Sequence, residues 1–182
     1  MRIRLGVWLI AALLGGCDQP VPADKGFAGL GNQAAAFTPV VPGRVFGFPA
    51  DHGPHDGFRI EWWYVTANLK DEQGREFGVQ WTLFRSALTA TPEQAGWGNQ
   101  TLWLGHAAVT SASVHHAAER YARGGVGQAG VSLTPFNAWI DDWHLSSQAT
   151  GADPLTELQL SARDKGFGYQ LRLTSTKPWV LQ

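Results

Sequence analysis

FRIEWWYVTANLKDEQGREFGVQWTLFR, residues 58–85, decides the fold. Two runs rich in aromatic and β-branched residues flank KDEQG, residues 70–74, whose composition suits a turn. Side chains alternate between the two faces of a strand. One face therefore collects Glu61, Trp63, Val65, Ala67 and Leu69, and on the returning strand Phe77, Val79, Trp81, Leu83 and Arg85. A slip of one residue would mix this face with its opposite, so the partner numbers must sum to an even value. A sum of about 146 centres the turn on Gln73 and pairs Leu69 with Phe77, Val65 with Trp81 and Trp63 with Leu83. The next pair outward is Glu61 with Arg85. A carboxylate is costly to bury without a partner, and an arginine directly across the ladder supplies one in bidentate reach. We expect a structural ion pair, Glu61 with Arg85.

From Phe58 onward the same logic gives strand after strand. LTELQLSA and FGYQLRLTS flank RDKG, residues 163–166, which predicts a second hairpin pairing Ala162 with Phe167 and Leu160 with Tyr169. TLWLGHAAVT and AWIDDWHL, lying between the hairpins, each read as a strand, and TPEQAG, residues 91–96, as a short helical turn. Successive short strands with up-and-down connections predict an all-β fold, an antiparallel barrel or a strongly curved sheet. The 22 glycines and 9 tryptophans suit tight turns and aromatic packing in such a fold.

The 182 residues, 44% hydrophobic with a net charge of −1, can build a full core and give no sign of a nucleic-acid partner. Residues 1–17 read as a signal peptide. Arg2 and Arg4 precede LGVWLIAALL, an apolar run short for a membrane span, which ends at LGGC. The pattern is similar to a bacterial lipoprotein signal, in which Cys17 becomes the acylated first residue. Cys17 is also the single cysteine, so no internal disulfide can form. Residues 18–43, rich in Pro, Gly and Ala, read as a flexible tether, and 44–182 as the β domain. Asp18 matches the retention signal that keeps some lipoproteins at the inner membrane. We therefore expect a protein anchored in the bacterial cell envelope and facing the periplasm. The sequence stops within the apolar stretch KPWVLQ, which we read as a truncated unit with more chain expected after Gln182.

DHGPHDGFRIEWWYVTANL (residues 51–69), FGVQWTLFR, LWLGHAAVT, RGGVGQAG and DDWHL together resemble the lipocalin-like family of carotenoid 1,2-hydratases (hydroxyneurosporene synthases) and related "predicted secreted hydrolases". The resemblance covers residues 51–182. It implies two consecutive lipocalin-like units, of which this chain supplies the first, and a proton-donating aspartate in the later half. Asp56 and Ala67 depart from the family, whose members often carry proline and glycine there.

Adding water to an isoprenoid double bond needs a proton donor, stabilisation of a tertiary cation and a placed water. A buried carboxylic acid can do the first, and aromatic faces the second. Glu61 and His106 are the catalytic candidates, although a Glu61 paired with Arg85 stays ionised and donates poorly. Trp62, Trp63, Tyr64, Trp81, Phe84, His106 and Trp143 are the expected ligand-binding residues, with His106 either a satisfied wall histidine or one facing the lumen. His52 and His55 lie in a Pro/Gly loop beside Asp51 and Asp56. Without a third convincing ligand this is no basis for a metal site, and we expect neither metal nor cofactor. His115 and His116 read as a solvated loop, and Asp142 as ordering a strand end. The expected function is binding of an elongated apolar molecule, an isoprenoid or a lipid, with hydro-lyase activity in the full-length relative. The alternatives are a secreted hydrolase, for which no GxSxG is present, and a non-catalytic lipid-binding partner of an envelope transporter.

Overall fold

The computed structural model describes residues 36–178 together with Val180 and Leu181. The signal peptide, Cys17, Asp18 and most of the tether lie outside the described residues. Among the described residues nine strands follow one another, each paired with a sequence neighbour. The first sheet is a meander of β1 (Ile60–Lys70), β2 (Glu76–Ala87), β3 (Thr101–Ser111) and β4 (His115–Arg123). The second is a meander of β5 (Ala129–Leu133), β6 (Phe136–Ile140), β7 (Trp143–Ser147), β8 (Glu157–Asp164) and β9 (Phe167–Thr174). The fold is all-β, two antiparallel sheets face to face, and no barrel closes among the described residues.

Alternation accounts for the first hairpin. Leu69 pairs with Phe77, Val65 with Trp81 and Glu61 with Arg85. The turn is held by Asp71, whose carboxylate accepts the backbone N–H groups of Gln73 (3.0 Å) and Arg75 (2.8 Å). Gly74 takes the left-handed backbone, φ +80°, that such a turn requires. The second hairpin differs from expectation by two residues. Asp164 pairs with Phe167, Ala162 with Tyr169 and Leu160 with Leu171. The loop is only Lys165 and Gly166, because Gly166 at φ +88° lets the chain reverse in two residues. A slip of two keeps every side chain on its own face.

Three further expectations are corrected. AWIDDWHL is two strands, β6 and β7, reversed at Asp141 (φ 52°) and Asp142, because aspartate tolerates the left-handed conformation that a tight turn needs. Residues 91–96 form bends and no helix; the one complete helical turn among the described residues is a 3-10 turn at Ala50–His52. His115 and His116 open β4 instead of a loop, His115 facing solvent and His116 stacking on Phe167 with ring centroids 6.2 Å apart.

Between the sheets lie Val79, Trp81, Leu83 and Trp103 from the first and Phe136, Ile140, Trp143 and Leu160 from the second. The second sheet packs tightly on Gly105, where an added Cβ would lie 2.7 Å from Ile140 Cγ2 and 3.4 Å from the Trp143 ring. Polar ties close the sides. Tyr169 Oη donates to the Gln80 carbonyl at 2.8 Å, and the Arg120 guanidinium lies over the Trp143 ring at 4.2 Å while donating to Asp142 and to the Arg163 carbonyl.

Candidate functional site at the Arg85 end

The ladder brings Glu61 and Arg85 to the end of the first sheet, next to the segment that precedes β1. That segment is packed on the domain from Phe37 onward: Phe37 is buried and Thr38 N–H donates to the Gly57 carbonyl at 2.8 Å. It carries the loop HGPH back over the sheet edge and sets His55 against Glu61. His55 Nδ1 is 2.7 Å from Glu61 Oε1, and its backbone N–H donates to Oε2 at 2.8 Å. The other ring nitrogen, Nε2, is 2.7 Å from Asp51 Oδ1. Asp51 in turn accepts from Arg44 Nη2 (2.7 Å) and the Gly47 N–H (2.5 Å). The Gly47 donor, the His55 ring and then Arg44 hold its carboxyl well down, at about 2.

Arg85 anchors the other side and is only 1% exposed. Its Nη1 lies 3.5 Å from Glu61 Oε2 and donates to the Phe58 carbonyl at 3.0 Å. Nε donates to Glu93 Oε1 at 2.8 Å, which also accepts from the Thr101 hydroxyl at 3.0 Å. Nη2 faces the Asp56 carboxylate at 3.5 Å. A continuous line of hydrogen-bonded and ion-paired groups thus runs Arg44, Asp51, His55, Glu61, Arg85, Glu93. The His55 backbone N–H and the Arg85 guanidinium both present donors to Glu61. The His55 ring is different. A neutral imidazole donates from one nitrogen only, and both of its nitrogens face carboxylate oxygens, so the tautomer decides which carboxylate receives the ring N–H.

His55 and Glu61 also line a groove of about 590 Å³ whose walls are Pro39, Val40, Val41, Pro42, Phe46 and Phe58. Arg44 closes its polar end, stacked over the Phe58 ring at 5.3 Å. The arrangement is an apolar trough with a chain of hydrogen-bonded and ion-paired side chains in one wall.

The aromatic residues expected to bind ligand do not converge on this groove. Trp81 and Trp143 are fully buried between the sheets. Trp143 Nε1 donates to the Arg163 carbonyl at 2.9 Å, whereas Trp81 Nε1 has no hydrogen-bond partner among the described residues. Trp63 points inward, donating to the His52 carbonyl at 3.0 Å and packing near Trp103. Trp62 and Tyr64 stand on the opposite, outer face with Phe84 and His106. His106 meets the Phe84 ring edge at 5.5 Å and Glu119 at 3.5 Å; it faces out of the sandwich, not into a lumen. Even and odd positions of one strand cannot share a pocket, a fact already present in the alternation that set the register. Asp142 meets Arg120, whose hydrogen bond lowers its carboxyl below the ordinary range. Arg44 and Glu93 enter the site from distant loops, with no local pattern in the sequence to mark them.

The sequence model of the family described as AttH-like matches residues 39–182. The chain belongs to the AttH-like family. A crystal structure of a protein described as an AttH, from Nitrosomonas europaea, is similar to this AttH-like chain, with 28% identity and a TM-score of 0.62. The likeness covers 78% of this chain and 42% of that one, so this chain spans less than half the length of that relative. No curated protein matches. The AttH family is lipocalin-like, which agrees with the coarser part of the resemblance to the carotenoid hydratases.

Proposed function

We propose that this AttH-like protein holds an elongated apolar molecule, an isoprenoid or a lipid, in the groove between residues 39–46 and the start of β1. The observation that carries this reading is the groove itself. Its volume of about 590 Å³ falls within the range of small-molecule sites, and its walls are mainly aliphatic and aromatic, with Thr38, Arg44, His55 and Glu61 supplying the polar groups. Acylation at Cys17 would hold the protein, and with it the groove, at the envelope membrane; Cys17→Ser should move it from the membrane fraction to the soluble fraction or leave it unprocessed.

The groove reading is tested with an anilinonaphthalene dye that brightens in apolar surroundings. The dye should bind, and acyclic carotenes or fatty acids should displace it. Val41→Asp should weaken binding about tenfold or more, as loss of one apolar contact of about 1.4 kcal/mol requires. Displacement by no apolar compound, or an unchanged affinity in Val41→Asp, would overturn the reading.

A second reading is favoured by the position of His55 in the groove wall. With Glu61 held by donors, His55 is the group able to pass a proton to one carbon of a bound double bond while water adds to the other and returns a proton to the ring. Incubation with an acyclic carotene and a search for the tertiary alcohol tests it. Product formation that survives His55→Ala would remove His55 from the reaction.

A further inference from the structure

The exposed apolar side chains of the domain are gathered at one end. On the outer face of the first sheet the ladder aligns Trp62, Phe84, Leu104 and Tyr121 in one row. The neighbouring row toward that end aligns Ile60, Ser86, Leu102 and Arg123. Trp62 is 56% exposed and Tyr121 68%, and Ile60, Tyr64 and Leu102 are exposed as well. Past these rows the same pattern continues into the connections. The loop joining Ala87 to Thr101 presents Trp97, 76% exposed, and the segment leading into β1 presents Val40, Val45 and Phe46. Away from this end the rows turn polar: Thr66 with Gln80, then Lys70 with Glu76. Apart from Val114 in the opposite turn and Val180 and Leu181 near the terminus, every exposed large apolar side chain among the described residues lies at the Ile60 end or in its loops.

A patch of this kind is not solvent architecture. Its chemistry is that of a water–lipid boundary: tryptophan and tyrosine, each with an apolar body and a polar tip, and Arg123 at the margin, where a long cationic side chain reaches headgroups while its stem lies on apolar surface. The chain also enters the domain here, through Phe37 and Thr38, 20 residues after Cys17 in the sequence.

We propose that this end of the domain seats in a lipid bilayer, with Trp62, Tyr121 and Trp97 entering the interface. The contact does not depend on acylation, and it goes beyond the groove reading, since Trp62, Tyr121 and Trp97 do not line the groove. It does give the groove an orientation: its opening among residues 39–46 faces the membrane, so an apolar molecule can pass between them without crossing water.

The test uses the full chain carrying Cys17→Ser and Trp8→Phe, which remove the acyl site and the leader's tryptophan. It is mixed with phosphatidylcholine vesicles whose acyl chains carry bromine, a quencher that acts only on tryptophans at the bilayer. Quenching should be evident, and adding Trp62→Phe with Trp97→Phe should cut it at least about threefold, because the remaining tryptophans are mostly interior or polar-bonded. Trp62→Ser should weaken vesicle partition about tenfold. Quenching that persists in the double variant would show that another surface binds. A lipid-free dimer that Trp62→Asp dissolves, without quenching by the vesicles, would assign the face to a second copy. Either result overturns the proposal, while the dye assay with Val41→Asp separately decides the groove.

Discussion

Two arginines, Arg85 buried and Arg120 half-buried, do opposite jobs in this molecule. Arg120 reaches from β4 across to the second sheet, lying on Trp143 and donating to Asp142 and the Arg163 carbonyl. Its partners belong to the other layer, so what it holds is the sandwich. Arg85 lies beneath the surface, and its partners are the loops around its own sheet: Asp56 and Phe58 on one side, Glu93 on the other, with Glu61 across the ladder. What it holds is the wall of a groove. One guanidinium among three carboxylates leaves more negative charge than a core needs, and a feature of that kind is more expected at a site than in a scaffold.

That contrast can be broken experimentally. Arg85→Met should cost about 3–5 kcal/mol, because it strands Glu61 and Glu93 without their cation in a sheltered place. Urea denaturation measures this, and a loss as small as that at an exposed pair would mean the charges are solvated. A double-mutant cycle of Glu61→Gln with Arg85→Met should return a coupling of about 1–3 kcal/mol; strict additivity would show that the 3.5 Å contact carries no energy. Arg120→Met should cost about 1–2 kcal/mol, from the lost ring contact and the bonds to Asp142 and the Arg163 carbonyl, and should leave dye affinity unchanged. A shift in affinity there would erase the distinction between the two arginines.

The subtlest effect is in acid. Asp51 has its carboxyl lowered from 3.8 to about 2, so its contribution to stability is complete above about pH 4 and disappears as pH falls toward 2. Asp51→Asn should therefore be less stable than the wild type at neutral pH and lose less stability on acidification through that window. Parallel curves for the two proteins would mean that the Gly47, His55 and Arg44 bonds do not favour the ionised form.

How much of this was legible in the chain depends on distance along it. The β1–β2 register followed from alternation, because keeping the apolar faces together admits only one parity and the turn is centred on Gln73, and with it came the facing of Glu61 and Arg85. The same alternation separates Trp62 and Tyr64 from Trp63, so grouping all three as pocket residues went against it. The 163–166 turn was two residues too long in expectation, since nothing in RDKG says how tightly a glycine will close it. His55 was visible as a loop histidine. Its clamp was not, because Asp51 and Glu61 meet it only after the loop folds back over the sheet edge, and Arg44 and Glu93 arrive from segments without periodicity. Contacts set by strand geometry can be read; contacts set by loops crossing a sheet end cannot.

Every strand in both sheets pairs with its immediate neighbour in sequence, and this has a consequence for how the chain acquires its structure. The most distant ladder partners, Phe77 and Ser111, are 34 residues apart. Closing loops of that size costs little entropy, and local pairings form quickly relative to those of an interleaved sandwich. The first sheet is complete in its hydrogen bonding once residue 123 has been made, before any strand of the second exists. During synthesis its inner face, with Trp81 and Leu83, waits uncovered while its outer aromatic end is already formed. A chain that emerges beside a membrane would then have its lipid-facing end built before its core is sealed.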